Sequence, residues 1–431
     1  MQNKSFFVVF LLFFVISSLL LSTDFLKGQS VFRAIPPTPN QVQGKPFLAF
    51  PSGDSLAYEG LFQTMDSLLI DGEETHLTIM HIGGSHIQAG IFSNRMRANL
   101  LTLSPGLVSA RGLIFPFSAA KTNNPYNYST TYTGNWIVAK NTQKEPCFVL
   151  GLTGMCIVPE DSSATITIFT KKNDSLSYNF NTIYVLGYSD SMWVKPQLRL
   201  RDSLLIEGVW NAKTMSYSFN LETDINTFTL QFAKNDTMWQ PFYLRGFYLD
   251  NQRAGISYVD IGVNGASVLS YLKCELLEND LQLVHPDLCI LSIGINDANC
   301  NDFDTSQFIN NYKNLIAKIR RVSPNCQFLF TTNNDSYRRI SRKYVNNPNG
   351  YLAQQAFYSL ANYYKCGVFD LFAYMGGLKS ISEWEKAGLA KKDKVHFTTE
   401  GYSIIGDLLY DALLNEYAKH LKQKRKQYES D

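Results

Sequence analysis

Three stretches of the chain hold residue types at spacings that could do covalent chemistry. In Leu77-Thr-Ile-Met-His-Ile-Gly-Gly-Ser-His-Ile-Gln-Ala-Gly90, an apolar β-branched run reads as a buried strand that breaks at Gly83-Gly84. From His86 the apolar positions Ile87, Ile91, Met96, Leu100 and Leu101 recur at roughly helical spacing. Ser85 then sits at a helix N-terminus, where unpaired N–H groups and the positive dipole end face whatever binds. Such a serine is either an exposed nucleophile or a helix cap, since serine is a preferred cap. Leu288 to Asp297 is a second buried strand, and it ends in Gly294-x-Asn296-Asp297. Asp393-Lys-Val-His396 precedes a long amphipathic helix. A serine hydroxyl needs a base within hydrogen-bond reach. His396 can be that base, with Asp393 holding its ring in the right tautomer. The plainer alternative is a surface histidine that starts a helix.

Ser85, Gly294-x-Asn296-Asp297 and Asp393-x-x-His396, in that order, resemble the blocks of the SGNH (GDSL-type) esterase superfamily. Ile261-Gly-Val-Asn-Gly-Ala266 resembles its glycine block, with Gly265 the matching glycine. The departure is Gly84, where the family carries aspartate before the serine; that aspartate is not the triad acid. The resemblance implies a Ser85–His396–Asp393 triad. It also implies an oxyanion hole made of the backbone N–H groups of Ser85 and Gly265 and the side-chain amide of Asn296. Asp297 is read as bracing its loop and His86 as structural. The fold implied is a three-layer α/β/α parallel sheet, the flavodoxin-like SGNH fold, with no cofactor.

The elements around these residues agree with an α/β reading. Leu56 to Ile70 shows a helical apolar face ahead of the strand Leu77–Ile82. After residue 250, strands at Ile256–Ile261, Asp287–Ile293, Gln327–Thr332 and Gly367–Leu371 alternate with helices at Ser267–Leu277, Phe308–Ile319, Tyr351–Tyr364 and Thr399–Lys422. Loops fill the gaps, including Met375–Lys392. Alternation of this kind means parallel strands with helices on both faces. Ligands bind such sheets at the carboxyl ends of the strands, where all four blocks fall.

Residues 130–250 have a different texture. Short runs such as Ala164–Phe169, Ile183–Leu186, Ser216–Leu221 and Phe228–Phe232 alternate apolar with polar, and turns separate them. That is an inserted all-β sandwich, expected to resemble a carbohydrate-binding module. The polar stretch Lys121–Tyr128, with its two tyrosines, either lines a sugar site or is an ordinary surface loop. The organisation expected is therefore 1–30 signal peptide or signal anchor, 31–54 linker, 55–129 and 251–425 the esterase domain, and 130–250 the insertion. Lys4 and the apolar run Phe6–Leu21 carry the first of these expectations. They imply a periplasmic or secreted protein, at the membrane only if the segment stays uncleaved.

The 431 residues carry a formal net charge of +2, which gives no reason to propose nucleic acid as a partner. Seven cysteines and six histidines show no metal-like clustering, so no metal is expected. Whether Cys147 and Cys156 pair is open. The function expected is that of a serine O-acylesterase removing acetyl groups from a polysaccharide, with peptidoglycan among the substrates. The alternatives are an O-acetyltransferase using the same triad and a carbohydrate-binding protein whose esterase core is inactive.

Overall fold

The computed structural model describes residues 40–429 except 54–55, 171–175, 177, 191–193, 201–203 and 234–239. The signal or anchor expectation and most of the linker expectation lie outside these residues. Five strands form the central sheet: β1 (His76–Gly83), β2 (Gly255–Gly262), β3 (Leu288–Ser292), β4 (Gln327–Thr331) and β5 (Gly367–Phe369). Their order is β2-β1-β3-β4-β5 and all pairs are parallel. This is the flavodoxin-like order, with its switch point between β1 and β3. β1 is buried along nearly its whole length, and alternate side chains enter two different cores. Leu77 and Ile79 join the core under α1 (Glu59–Leu69), while Met80 and Ile82 join the other.

Three local expectations change. The helix expected from His86 is a single turn, α2 (Ser85–Gln88), then α3 (Ile91–Leu100). The break is Gly90, at φ +71, where a Cβ would lie 2.7 Å from Pro125. The helix expected from Ser267 is α4 (Val268–Leu272) followed by α5 (Leu277–Val284). After α6 (Thr305–Val322) and α7 (Asn349–Tyr364), the loop expected at Met375–Lys392 holds α9 (Ser380–Lys386), just beyond α8 (Leu371–Met375). The last helix, α10, runs Thr399–Tyr428 and begins at a Thr398 cap that accepts from the Gly401 N–H.

The β-rich insertion is two stacked antiparallel sheets. One follows the path Val209–Asn211, Ser216–Ile225, Phe180–Tyr188, Tyr243–Asp250, Met155–Pro159, Trp136–Lys140. The other follows Tyr128–Thr133, Thr165–Thr170, Thr227–Phe232, Pro196–Arg199, Leu205–Glu207. Phe228 sits between them, with ring centroids 5.8 Å from Phe180 and 5.4 Å from Phe247. The β-rich region reaches further back than residue 130, because Gly112–Ile114 already pairs with Tyr243–Asp250. The sandwich core runs on without a break into the face of the central sheet under α4, α5 and α6.

A buried charge cluster joins the module to that sheet. Asp260 on β2 accepts from Arg97 of α3 at 2.7 Å and forms an ion pair with Arg111, also at 2.7 Å, and Ser93 donates to its other oxygen. Arg97 also donates to the Tyr258 carbonyl, and Tyr178 and Tyr128 face the Arg97 and Arg111 guanidiniums. Burial alone would raise the Asp260 carboxyl, but Arg111 and Arg97 hold it below the usual carboxylate range. Replacing Asp260 by asparagine would leave two buried guanidiniums without a counter-charge. We expect Asp260→Asn to destabilise the fold by about 3–5 kcal/mol. Arg253→Ala, which breaks an exposed pair with Asp224, should cost no more than about 1 kcal/mol. Urea denaturation of the two variants compares them; equal small losses would mean that the cluster contributes nothing particular.

Candidate active site

β1 ends at Gly83, and the chain turns through Gly84 so that Ser85 opens α2. No side chain caps this turn; Gly84 is the N-cap, and its carbonyl accepts from Ile87 and Gln88. Gly83 is tightly confined, since a Cβ there would strike Ile87 at 2.1 Å. The serine is thereby held at the carboxyl edge of the sheet, next to the switch point.

The acid–base pair arrives from the far end of the chain. Asp393 accepts at Oδ1 from the N–H groups of Val395 (3.0 Å) and His396 (2.9 Å). With Lys394 in the left-handed region at φ +57, this makes a tight turn. The turn brings His396 Nδ1 to 2.9 Å from Asp393 Oδ2, and Nε2 to 2.8 Å from Ser85 Oγ. Nδ1–H donating to the carboxylate leaves Nε2 as the acceptor toward the serine. Burial works to raise the Asp393 carboxyl, yet the His396 N–H, the His396 ring and the Val395 N–H together hold it below the usual range. It remains an acceptor through mildly acidic conditions.

The expected oxyanion donors surround the same turn. Asn296 Nδ2 donates to the Ala266 carbonyl at 2.9 Å, which spends one of its two hydrogens and orients the other. That nitrogen lies 3.5 Å from where a Cβ on Gly84 would be. Gly265 has φ +82 in an open position. Among the described residues, nothing accepts from the backbone N–H of Ser85 or of Gly265. Asp297 accepts from the Val268 N–H at 3.1 and 3.2 Å, bracing the start of α4. His86 packs half-buried against the His396 ring at 5.3 Å, and its Nδ1 meets the Tyr402 hydroxyl at 2.8 Å. Desolvation first, and the neighbouring His396 second, push it down to about 3, so it is neutral at ordinary pH.

Sequence reasoning passed over Gln88. Its Oε1 accepts from the Asn264 N–H at 2.7 Å, and its Nε2 reaches Thr122 and Asn123, so it ties the Gly265 loop to the serine helix. Nothing in the sequence marked it, because a glutamine three residues past the serine reads as a helix surface. Of the two tyrosines in Lys121–Tyr128, Tyr128 is buried, donating to the Phe115 carbonyl, and Tyr126 is exposed. Cys147 and Cys156 are free thiols, one exposed and one buried.

Residues 239–404 match the model of the GDSL-like Lipase/Acylhydrolase family, a span that includes Gly265, Asn296, Asp393 and His396. Among solved structures the chain is similar to one described as a peptidoglycan O-acetylesterase in action. The two are 20% identical with a TM-score of 0.68, over 86% of this chain and 99% of that one. An acetyl xylan esterase (20% identical, 36% of this chain and 81% of that one) has a TM-score of 0.30. A lipase/acylhydrolase from Enterococcus faecalis (19% identical, 36% and 74%) has one of 0.28. No curated protein matches the sequence. At these identities the first likeness shows a shared fold, an α/β core together with β-rich structure.

The brace at Asp297 has a measurable signature. Burial pushes its carboxyl up to about 6 from an ordinary 3.8, against the Val268 hydrogen bond. A carboxyl raised on folding binds its proton more tightly in the native state, so stability falls as pH rises from about 4 to 6. The loss is at most about 3 kcal/mol, at 1.36 kcal/mol per unit. Asp297→Asn lacks this titration. The stability of the wild type relative to Asp297→Asn should therefore decline across pH 4–6 and level off above it. Parallel urea-denaturation curves at pH 4, 5, 6 and 7 would contradict the assignment.

Proposed function

From the premise that this chain is an SGNH-type, GDSL-like acylhydrolase, we propose that it is an extracytoplasmic serine O-acylesterase that removes acetyl groups from a polysaccharide, peptidoglycan foremost. The observation that carries the reading is the continuous relay Ser85–His396–Asp393, with contacts of 2.8 and 2.9 Å. In this reading His396 takes the Ser85 proton as Oγ bonds to the acyl carbon. The carbonyl oxygen gains the negative charge and is received by the N–H groups of Ser85 and Gly265 and by the free hydrogen of Asn296 Nδ2. Collapse breaks the ester bond, and His396 returns its proton to the departing sugar oxygen. Water, deprotonated by the same imidazole, then releases acetate and restores the serine. The domain limits near residues 55, 130, 250 and 425 belong to this proposal, as does a polymer-orienting role for the insertion. So does the location outside the cytoplasm, which is supported by the apolar run Phe6–Leu21.

Two substitutions test the chemistry. Ser85→Ala should abolish acetate release from both an aryl acetate and O-acetylated peptidoglycan while keeping the melting temperature; retained activity removes the mechanism. Asn296→Ala removes one oxyanion donor, which typically costs about 10²–10³ in rate. The loss should appear in kcat, with KM within a few-fold, because the amide meets a charge that exists only in the transition state. The Ala266 contact means that the same variant also loosens a loop. Thermal stability measured on the same preparation separates the two effects: a less stable but fully active protein would reduce Asn296 to a brace.

A further inference from the structure

Between β4 and α7 the chain forms an antiparallel hairpin, Tyr337–Ile340 with Lys343–Asn346. Its root is fastened to both loops of the site. The Tyr337 N–H donates to the carbonyl of Lys394, between Asp393 and His396, at 3.0 Å, and the Lys394 ammonium lies 4.8 Å over the Tyr337 ring. Arg338 donates to the Cys300 carbonyl and to Asn301 Oδ1, in the loop that follows Asn296. The register puts Tyr337, Arg339 and Tyr344 on the face that packs toward Lys394, and Ile340 and Lys343 on the other.

The hairpin turns on Ser341 and Arg342, at φ +49 and +68. A two-residue turn with both residues left-handed favours Asn-Gly. This one carries a guanidinium at its tip instead. Arg339, Arg342 and Lys343 are exposed, as are Lys391 and Lys392 in the adjoining loop, and none of the five has an ion-pair partner among the described residues. Four acids nearby are committed elsewhere, Glu385 to Lys394, Glu383 to Lys386, Asp393 to His396, and buried Asp335 to Asn346 and the Ile381 N–H, while Asp302 and Glu400 are exposed at the flanking loops. In a chain of net charge +2, five cations without ion-pair partners are thus carried by the hairpin and by the loop in which the Lys391 N–H donates to the His396 carbonyl. Tyr344 stands exposed among them, on the face of Arg339.

We propose that the hairpin 337–346 is a substrate-binding arm for a carboxylate-bearing glycan, with Tyr344 as the ring platform and Arg339, Arg342, Lys343, Lys391 and Lys392 meeting the carboxylates. It rests on the esterase reading of the site for what is done to the bound strand, but not for the binding itself. The carboxylates can lie on the sugars or on a peptide branch, and the two sources are separable. The test variant is the triple substitution Arg339→Ala, Arg342→Ala, Lys343→Ala. Its kcat/KM is measured on O-acetylated polygalacturonate, O-acetylated peptidoglycan fragments, an acetylated neutral xylo-oligosaccharide and an aryl acetate, at low and at high sodium chloride. Three exposed charge pairs together are worth roughly ten-fold. The ratio of kcat/KM on an anionic glycan to that on the neutral one should fall by about that factor, through KM, and salt should reproduce the fall in the wild type. The anionic substrate that shows the drop names the source. An unchanged ratio on both anionic glycans, or an equal loss on the neutral one, overturns the proposal. Retention of non-acetylated polygalacturonate by Ser85→Ala protein, with and without the triple substitution, is read independently of turnover. Equal retention would sink the arm even where the esterase holds, and a loss of retention would support it even where no ester is cleaved.

Discussion

The buried charge on Asp260 is the constraint that organises this molecule. It lies on β2, next to the strand that delivers Ser85, and it must be matched where water cannot help. Both matching cations come from the segment after the serine: Arg97 from α3 and Arg111 from the approach to the β-rich module. Satisfying one carboxylate therefore packs α3 on the sheet and sets where the module departs. Tyr178 and Tyr128, which belong to that segment and module, close over the guanidiniums. An insertion of more than a hundred residues between the serine and the glycine block can interrupt an α/β domain without loosening it, because its root is part of the core.

Around the site, three ionisable groups are set apart by environment alone. Asp393 is ionised because backbone and ring N–H groups outweigh its burial. Asp297, whose backbone donors do not outweigh its desolvation and which has no cation beside it, is raised instead. His86 is dehydrated into neutrality beside His396, so that it supports the imidazole's packing without adding a positive charge of its own. His396 stands partly exposed between the Asp393 carboxylate and the Ser85 hydroxyl.

Much of this was legible in the sequence because the controlling signals are local. The five parallel strands announce themselves as apolar runs, and Asp393-x-x-His396 is close enough in sequence to form its own turn. What stayed hidden depends on distant partners. The break at Gly90 is set by Pro125 and Tyr126, which pack against it from another loop. Gln88 gains its meaning only when Asn264 comes to lie beside it. Tyr128, in a stretch that reads equally as a sugar-site lining or a surface loop, is a core residue, since a ring with one hydroxyl suits a buried cation as well as a surface. The hairpin at Tyr337–Asn346 has no turn signature in the sequence, because neither glycine nor asparagine stands at its two central positions.

Gly84 is the point where the sequence departs from the pattern that it resembles, and the geometry shows what a side chain there would meet. The backbone does not demand glycine: φ is −99°, and the nearest atoms to a Cβ are Asn296 Nδ2 at 3.5 Å and the Ala266 and Val263 carbonyls at 3.6 and 3.8 Å. A carboxylate would have one donor and two acceptors for neighbours. Here the Asn296 amide is steadied by the Ala266 carbonyl, so the donor is oriented without an acid beside it. The remaining support comes through Gln88, which fixes the Asn264–Gly265 backbone to the serine helix from the other side. Glycine in place of the acid therefore keeps a negative charge away from the Asn296 amide and the Ser85 N–H, while the two loops around them keep other tethers. A glycine before the serine is compatible with a working nucleophile in this setting, and it gives no ground for reading the site as dead.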